Sequence, residues 1–250
     1  MRAVLFIGHG SRSKKGANEA RSFFQRVKKR IDVPIQELSF LELADPLIEE
    51  GFNRCVKKGA LEITVIPLFL LAAGHIKHDI PRILESVCKR YPHIKVTVEN
   101  PYGTDERIID GLTEMVQSNP AGFNLKDSLL IVGRGSSDQA IHRDFAKIAK
   151  GIQSRLGMEH ISVCYLAAAE PKLTEGLEKI SEKAANRVIV IPYLLFPGVL
   201  LNEVSQMVQK RKSQGQEIIH TGPLSEQTVF EDILIQRVTK KEAEYAAAHN

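Results

Sequence analysis

The sequence predicts two similar α/β halves, each a parallel four-stranded sheet covered by helices on both faces. Three observations lead there. Short apolar runs alternate with longer amphipathic stretches. One run, Leu61 to Leu71, is apolar almost throughout, as a strand buried on both faces must be. The pattern of the first half then returns in the second at a constant offset of 125 residues.

In order, Ala3 to Gly8 reads as the first strand. Ala17 to Arg30 reads as a helix, with Phe23, Phe24, Val27 and Ile31 at helical spacing. Pro34 to Leu41 returns to strand, and Asp45-Pro46 starts a helix with proline in its first turn. Leu61 to Leu71 is the third strand, Ile76 to Arg90 a helix, Lys95 to Glu99 a fourth strand and Ile108 to Val116 a helix. Strand and helix alternating in this way argue parallel pairing through helical crossovers. In the repeat, Leu5-Phe6-Ile7-Gly8-His9-Gly10-Ser11 lies over Leu130-Ile131-Val132-Gly133-Arg134-Gly135-Ser136. Asp45-Pro46 lies over Glu170-Pro171, Val65-Ile66-Pro67 over Val190-Ile191-Pro192, and, after one deletion, Gly74-His75 over Gly198-Val199. The halves are then 1–120 and 126–245, with 121–125 as linker in a stretch holding Pro120 and Gly122.

Composition narrows the classes. At 250 residues, 43% hydrophobic and 26% charged, the chain is an ordinary globular protein with core to spare. Three scattered cysteines and no CxxC exclude a disulfide scaffold or zinc ribbon. No apolar run reaches the length of a membrane span, and the N-terminus has no signal-peptide organisation, so a cytoplasmic protein is expected. A net charge of +4 with 6% aromatics and no tryptophan announces no nucleic-acid partner. It is compatible with an anionic small molecule, although a solvated basic face is the more usual meaning of such an excess. The stretch from Lys240 to Asn250 is expected to fray.

The repeat also separates fold from function. Gly8, Gly10 and Ser11 recur as Gly133, Gly135 and Ser136, so they serve the turn. Three polar residues do not recur: His9 faces Arg134, Glu42 faces Ala167 and His75 faces Val199. All three follow the C-terminal end of a strand, where open α/β sheets bind ligands. Two imidazoles and a carboxylate form a divalent-metal set suited to Fe(II), Co(II), Ni(II) or Zn(II). Three protein ligands leave coordination positions open, as a catalytic site requires. The same donor types serve a two-histidine, one-carboxylate Fe(II) oxygenase, although tandem parallel halves fit that poorly. A phosphoryl-transfer histidine would want more arginines than Arg12 nearby. A non-catalytic metal or tetrapyrrole carrier would use the same groups without turnover.

Gly8-His9-Gly10-Ser11-Arg12, Phe40-Leu41-Glu42, Pro67-Leu68-Phe69-Leu70, Gly74-His75 and Asp79-Ile80-Pro81 together resemble the class II chelatases, specifically the sirohydrochlorin ferrochelatase and cobaltochelatase group. The resemblance spans the whole chain. It implies two tandem flavodoxin-like, chelatase-like halves. It implies insertion of Fe(II) into sirohydrochlorin to give siroheme, or of Co(II) on the anaerobic route to cobalamin, with no ATP and no organic cofactor. It carries the metal and catalytic roles to His9, His75 and Glu42, as ligands or as acceptors of pyrrolic protons, with Glu42 also eligible as an orienting partner. The cysteine cluster that some relatives use for an iron–sulfur group is absent, as is a histidine tract. The tetrapyrrole carries many carboxylates. Arg134, a guanidinium where the first half has His9, is therefore the leading substrate-binding candidate, making the second half a substrate-holding face without the histidine pair. Ser11, Arg12 and Ser136 are further candidates, with Lys14, Lys15 and Lys77 weaker ones. His78 is a candidate auxiliary ligand, and His142 is expected to be solvated. A monomer is expected.

Overall fold

The chain alternates strand and helix as the periodicity requires. The first half runs β1 (Arg2–Gly8), α1 (Lys14–Lys28), β2 (Ile35–Phe40), α2 (Ile48–Lys57), β3 (Glu62–Pro67), a π-helical turn (His75–Asp79) leading into α3 (Ile80–Arg90), β4 (Lys95–Val98) and α4 (Glu106–Gln117). The second runs β5 (Ser128–Gly133), α5 (Gln139–Leu156), β6 (Ile161–Tyr165), α6 (Leu173–Lys183), β7 (Val188–Pro192), α7 (Val199–Ser213), β8 (Ile218–His220) and α8 (Thr228–His249). This computed structural model describes residues 1–249, with the backbone alone for Glu242 and residues 244–249. The fraying expected past Lys240 therefore falls largely outside the described side chains; the described backbone is helical to His249. Among the described residues, no helix is long and apolar enough to cross a membrane.

Each half holds one parallel four-stranded sheet, ordered β2-β1-β3-β4 and β6-β5-β7-β8. The central strands explain their composition. Every residue of β1 after Arg2 is buried, as is all of β5, because helices cover both faces. Around β1, Ile7, Ile48, Phe52 and Ile63 pack into one core; around β5, Val132, Leu177, Val190 and Val204 build its counterpart. Each such aliphatic or aromatic side chain contributes about 1.5–3 kcal/mol by leaving water. Local chemistry marks the helix starts. Ser13 and Asp138 cap α1 and α5 by accepting from the amides of Gly16 and Ala140. The three cysteines are free thiols, and burial pushes Cys55 and Cys164 up to about 12, which leaves them inert.

Three details depart from the sequence reading. The apolar run after Glu62 pairs only to Pro67; beyond the Leu68 amide bond to Ile7 the chain leaves the sheet as a loop. Pro46 and Pro171 do not sit in the first turn of a helix. Each follows a cis peptide bond and precedes the N-cap residue, Leu47 or Lys172. Their carbonyls accept the amides of Phe40 and Tyr165 at 2.8 and 2.9 Å, which closes the loop after β2 and after β6 back onto its own strand.

The third departure concerns α4 and α8. The compact units are Met1–Gly103 together with the chain from Phe230 onward, and Thr104–Val229. The repeat divides the chain at 121–125 instead, so each unit contains the last helix of the other sequence half. In the first unit the Tyr102 hydroxyl donates to the Phe230 carbonyl at 3.0 Å, and Arg237 donates to the carbonyls of Asn100, Pro101 and Tyr102. Arg26 and Arg30 reach Glu231 and Asp232 at 2.6 Å. In the second unit Arg155 holds Asp110 and Glu106, and Gly111 and Gly151 let Val229 and Ile109 approach closely. Phe230 is fully buried. Replacing it by alanine is expected to destabilise the protein by about 3–5 kcal/mol. A urea midpoint that does not move would show that α8 contributes little to the first unit.

Candidate metal centre

The first sheet builds this site from three strand ends. Past Gly8 and Phe40 the chains stay paired: Leu41 donates to the Gly8 carbonyl at 2.8 Å and Glu42 to the His9 carbonyl at 3.1 Å. Close approach is what Gly10 permits. Its φ is +93°, and a Cβ there would collide with the carbonyl of Glu42. Leu43 follows in a left-handed conformation, φ 63°, a strain of about 1–3 kcal/mol. Ala168, its repeat counterpart, does the same at φ 47°, so the strain belongs to the turn and not to the site. The loop after β3 delivers His75 as the first residue of the π-helical turn. Such turns widen a helix locally and are frequent where function needs a side chain re-aimed.

These elements bring His9, Glu42 and His75 together. One ligand atom from each lies within 4.8 Å of the others, and among the described residues this is the one such group. His9 Nε2 is 3.2 Å from His75 Nε2 and 3.6 Å from Glu42 Oε1. Two nitrogens bound to one ion at about 2.1 Å, at octahedral or tetrahedral angles, stand roughly 3.0–3.4 Å apart. The far ring nitrogens fix which atoms face inward. His75 Nδ1 donates to Asp79 Oδ2 at 2.8 Å, and His9 Nδ1 lies 3.2 Å from the Gly10 carbonyl. Both partners are acceptors, which favours the tautomer with its proton on Nδ1 and turns each Nε2 inward, where the two face each other and Glu42 Oε1. The hydrogen bond from His75, foremost, holds the Asp79 carboxyl below the usual carboxylate range, so it remains an acceptor. The Phe69 ring flanks both imidazoles, with centroids 6.1 Å from His9 and 6.3 Å from His75. The site is not sealed: the Glu42 side chain is 51% exposed and that of His9 26%.

The other expected residues are placed as follows. Ser11 and Ser136 accept the amides of Ser13 and Asp138 at 3.1 Å, the same turn bond in both halves, and each hydroxyl keeps a proton to donate. Arg12 is exposed and lines a cavity beside the turn. Arg134 is exposed at the end of β5. His78 is exposed and is not in the donor group. His142 is half-buried rather than solvated, with its Nδ1 3.2 Å from the Tyr165 hydroxyl. Asp79 and Phe69 stood inside quoted motifs without a role. The i,i+4 spacing of His75 and Asp79 was the available signal for the first, and only three-dimensional structure shows the second.

Two imidazoles and a carboxylate, half-open at the C-terminal edge of one of two repeated α/β sheets, form a donor set that a divalent metal fits. The chain belongs to the CbiX family, whose model matches residues 3–119 and again 128–241. It is 45% identical over 219 residues to the sirohydrochlorin ferrochelatase of Priestia megaterium, covering 88% of this chain and 82% of that one. SirB from Bacillus subtilis with Fe3+ superposes with a TM-score of 0.86 at 35% identity, covering 98% of this chain and 97% of that one. The sirohydrochlorin chelatase SirB from Bacillus subtilis subspecies spizizenii, in complex with cobalt, gives 0.83 at 34% identity over 96% and 94%. The chelatase resemblance read from the strand-end motifs is thereby borne out.

If Asp79 sets the His75 tautomer, Asp79→Ala lowers Co(II) affinity about 10–100-fold in an isothermal titration. An affinity equal to that of the wild type would remove Asp79 from the site.

Proposed function

We propose that the chain is a sirohydrochlorin ferrochelatase. Fe(II) and the metal-free macrocycle give siroheme and two protons, with no ATP and no organic cofactor. The observation that supports this most is the convergence of His9 Nε2, His75 Nε2 and Glu42 Oε1. The relatives named as chelatases support the same reading. Fe(II) is a substrate here, so it must be held and then released. Three protein donors strip part of its water and leave positions open for pyrrolic nitrogens. As those nitrogens take over the ion, an Nε2 that has released it can accept a proton. Asp79 stabilises the imidazolium that forms at His75, as a carboxylate hydrogen-bonded to Nδ1 does in other proton relays. Glu42, exposed beside His9, accepts the second proton or passes it to water.

Substrate binding falls to Arg134, Ser11, Arg12 and Ser136 in this reading, with Arg134 pairing a peripheral carboxylate. The chain acts as a cytoplasmic monomer. Co(II) insertion is the second reading, favoured by the cobalt-bound neighbour and by a donor set that suits both ions.

Anaerobic turnover of sirohydrochlorin with Fe(II) and with Co(II), followed by absorbance, tests the reaction. The wild type is expected to exceed the uncatalysed rate, and His9→Ala to lose at least about 100-fold in kcat/KM. Equal rates with and without protein would leave a carrier; full activity in His9→Ala would move the chemistry elsewhere. Arg134→Ala is expected to raise KM more than it lowers kcat. An unchanged KM would remove it from the substrate site.

A further inference from the structure

Beside the metal donors lies a cavity of about 300 Å³, walled by the turn after β1, the start of α1 and the loop after β2. Its cations are Arg12, Lys14 and Arg21, and its one acid is Asp45. We propose that this cavity receives one carboxylate arm of the macrocycle and that Arg21 anchors it, an inference that rests on the chelatase reading.

Arg21 is held in place without being neutralised. Its Nη2 donates to the main-chain carbonyl of Asp45 at 3.0 Å and its Nη1 to the Asn18 side chain at 3.3 Å. The guanidinium lies over the Phe40 ring, 5.5 Å from its centroid. Neither hydrogen-bond partner is a carboxylate. Of the five N–H donors of a guanidinium, two are thus engaged, leaving the others for a planar anion. The position is also right. Ser11 in its wall is two residues past His9, and Leu43 is one past Glu42. A macrocycle whose nitrogens reach the ion carries its carboxylates on the rim, outside those donors.

The repeat supplies the control. The α1 and α5 turns match residue for residue: Ser11 and Ser136 make the same bond, and Ser13 and Asp138 cap the same helix position. In that register Arg12, Lys14 and Arg21 face Ser137, Gln139 and Ala146. Among the lining positions only Asn18, facing Arg143, runs the other way; farther along the same helix Ser22 and Gln25 face Lys147 and Lys150. Three cations are thus confined to the half that has the metal donors, although the backbone of both turns is shared.

The test uses the full chain as Arg21→Gln, Arg21→Lys, Lys14→Gln and the Lys14→Gln/Arg21→Gln pair. It reads the Kd for metal-free sirohydrochlorin by fluorescence, KM and kcat for Co(II) insertion, and the Kd for Co(II) alone. Arg21→Gln is expected to raise the tetrapyrrole Kd and KM about tenfold, and the pair further, with a smaller fall in kcat and an unmoved Co(II) Kd. Arg21→Lys recovers part of the loss. Unchanged Kd and KM in a pair that binds Co(II) normally would overturn the proposal. If Arg21→Gln lost Co(II) binding through misfolding, exposed Lys14 decides alone by the same measure. A thermal shift with inorganic phosphate that vanishes in Arg21→Gln, while the tetrapyrrole Kd stays fixed, would mark a free-anion site and also overturn it. Wild type that binds the tetrapyrrole but inserts no metal would refute the ferrochelatase reading and leave the Kd comparison decisive. Wild type that binds none overturns both.

Discussion

Glu42 N–H donates to the His9 carbonyl one step beyond the last paired residues of β1 and β2. The juxtaposition of His9 and Glu42 depends on that continued pairing. It places two side chains from different strands side by side where the sheet has ended and solvent begins. Gly10 makes the bond sterically allowable, and the Phe40–Pro46 bond closes the loop behind Glu42. The third donor needs a different device, because β3 ends at Pro67 and His75 lies eight residues on. The π-helical turn, with Asp79 on the far ring nitrogen, supplies it. Rigid backbone thus positions His9 and Glu42, while a side-chain hydrogen bond orients His75.

A half-exposed donor set is what an ion that is consumed would require. A closed tetrahedral cage would hold its metal as a structural element. Here the carboxylate is half in water. The second half shows the same turns, including the left-handed residue at Ala168, with arginine, alanine and valine at the donor positions. The backbone of the turns after β1 and β2 is therefore a property of the repeated fold, whereas the π-helical turn that carries His75 belongs to the first half, since α7 begins at Val199 as a regular α-helix.

Much of this was legible in the sequence. Alternating apolar runs located the four strands of the first half, the repeat carried three of them to the second, and the offset comparison isolated His9, Glu42 and His75 because duplication cancels what the fold requires. Pro46 misled, since a proline near a helix start satisfies the first-turn rule and a preceding loop equally well. Asp79 and Phe69 were not assigned because their roles depend on ring orientation. The exchange of α4 and α8 had no signal at all. An amphipathic pattern says that a helix buries one face, but not against which of two equivalent sheets, and in a repeat both choices satisfy it.

That exchange makes the metal-bearing unit discontinuous along the chain. Its sheet, three of its helices and all three donors are synthesised first, yet Tyr102, Arg26 and Arg30 wait for partners on α8, more than a hundred residues later. Contacts of such long sequence separation close late and slow the search for the native state. The unit that emerges first from the ribosome is thus the last to be completed: its core between β1, α2 and α3 is all in the early chain, while the α1 face waits until the other sheet has been made.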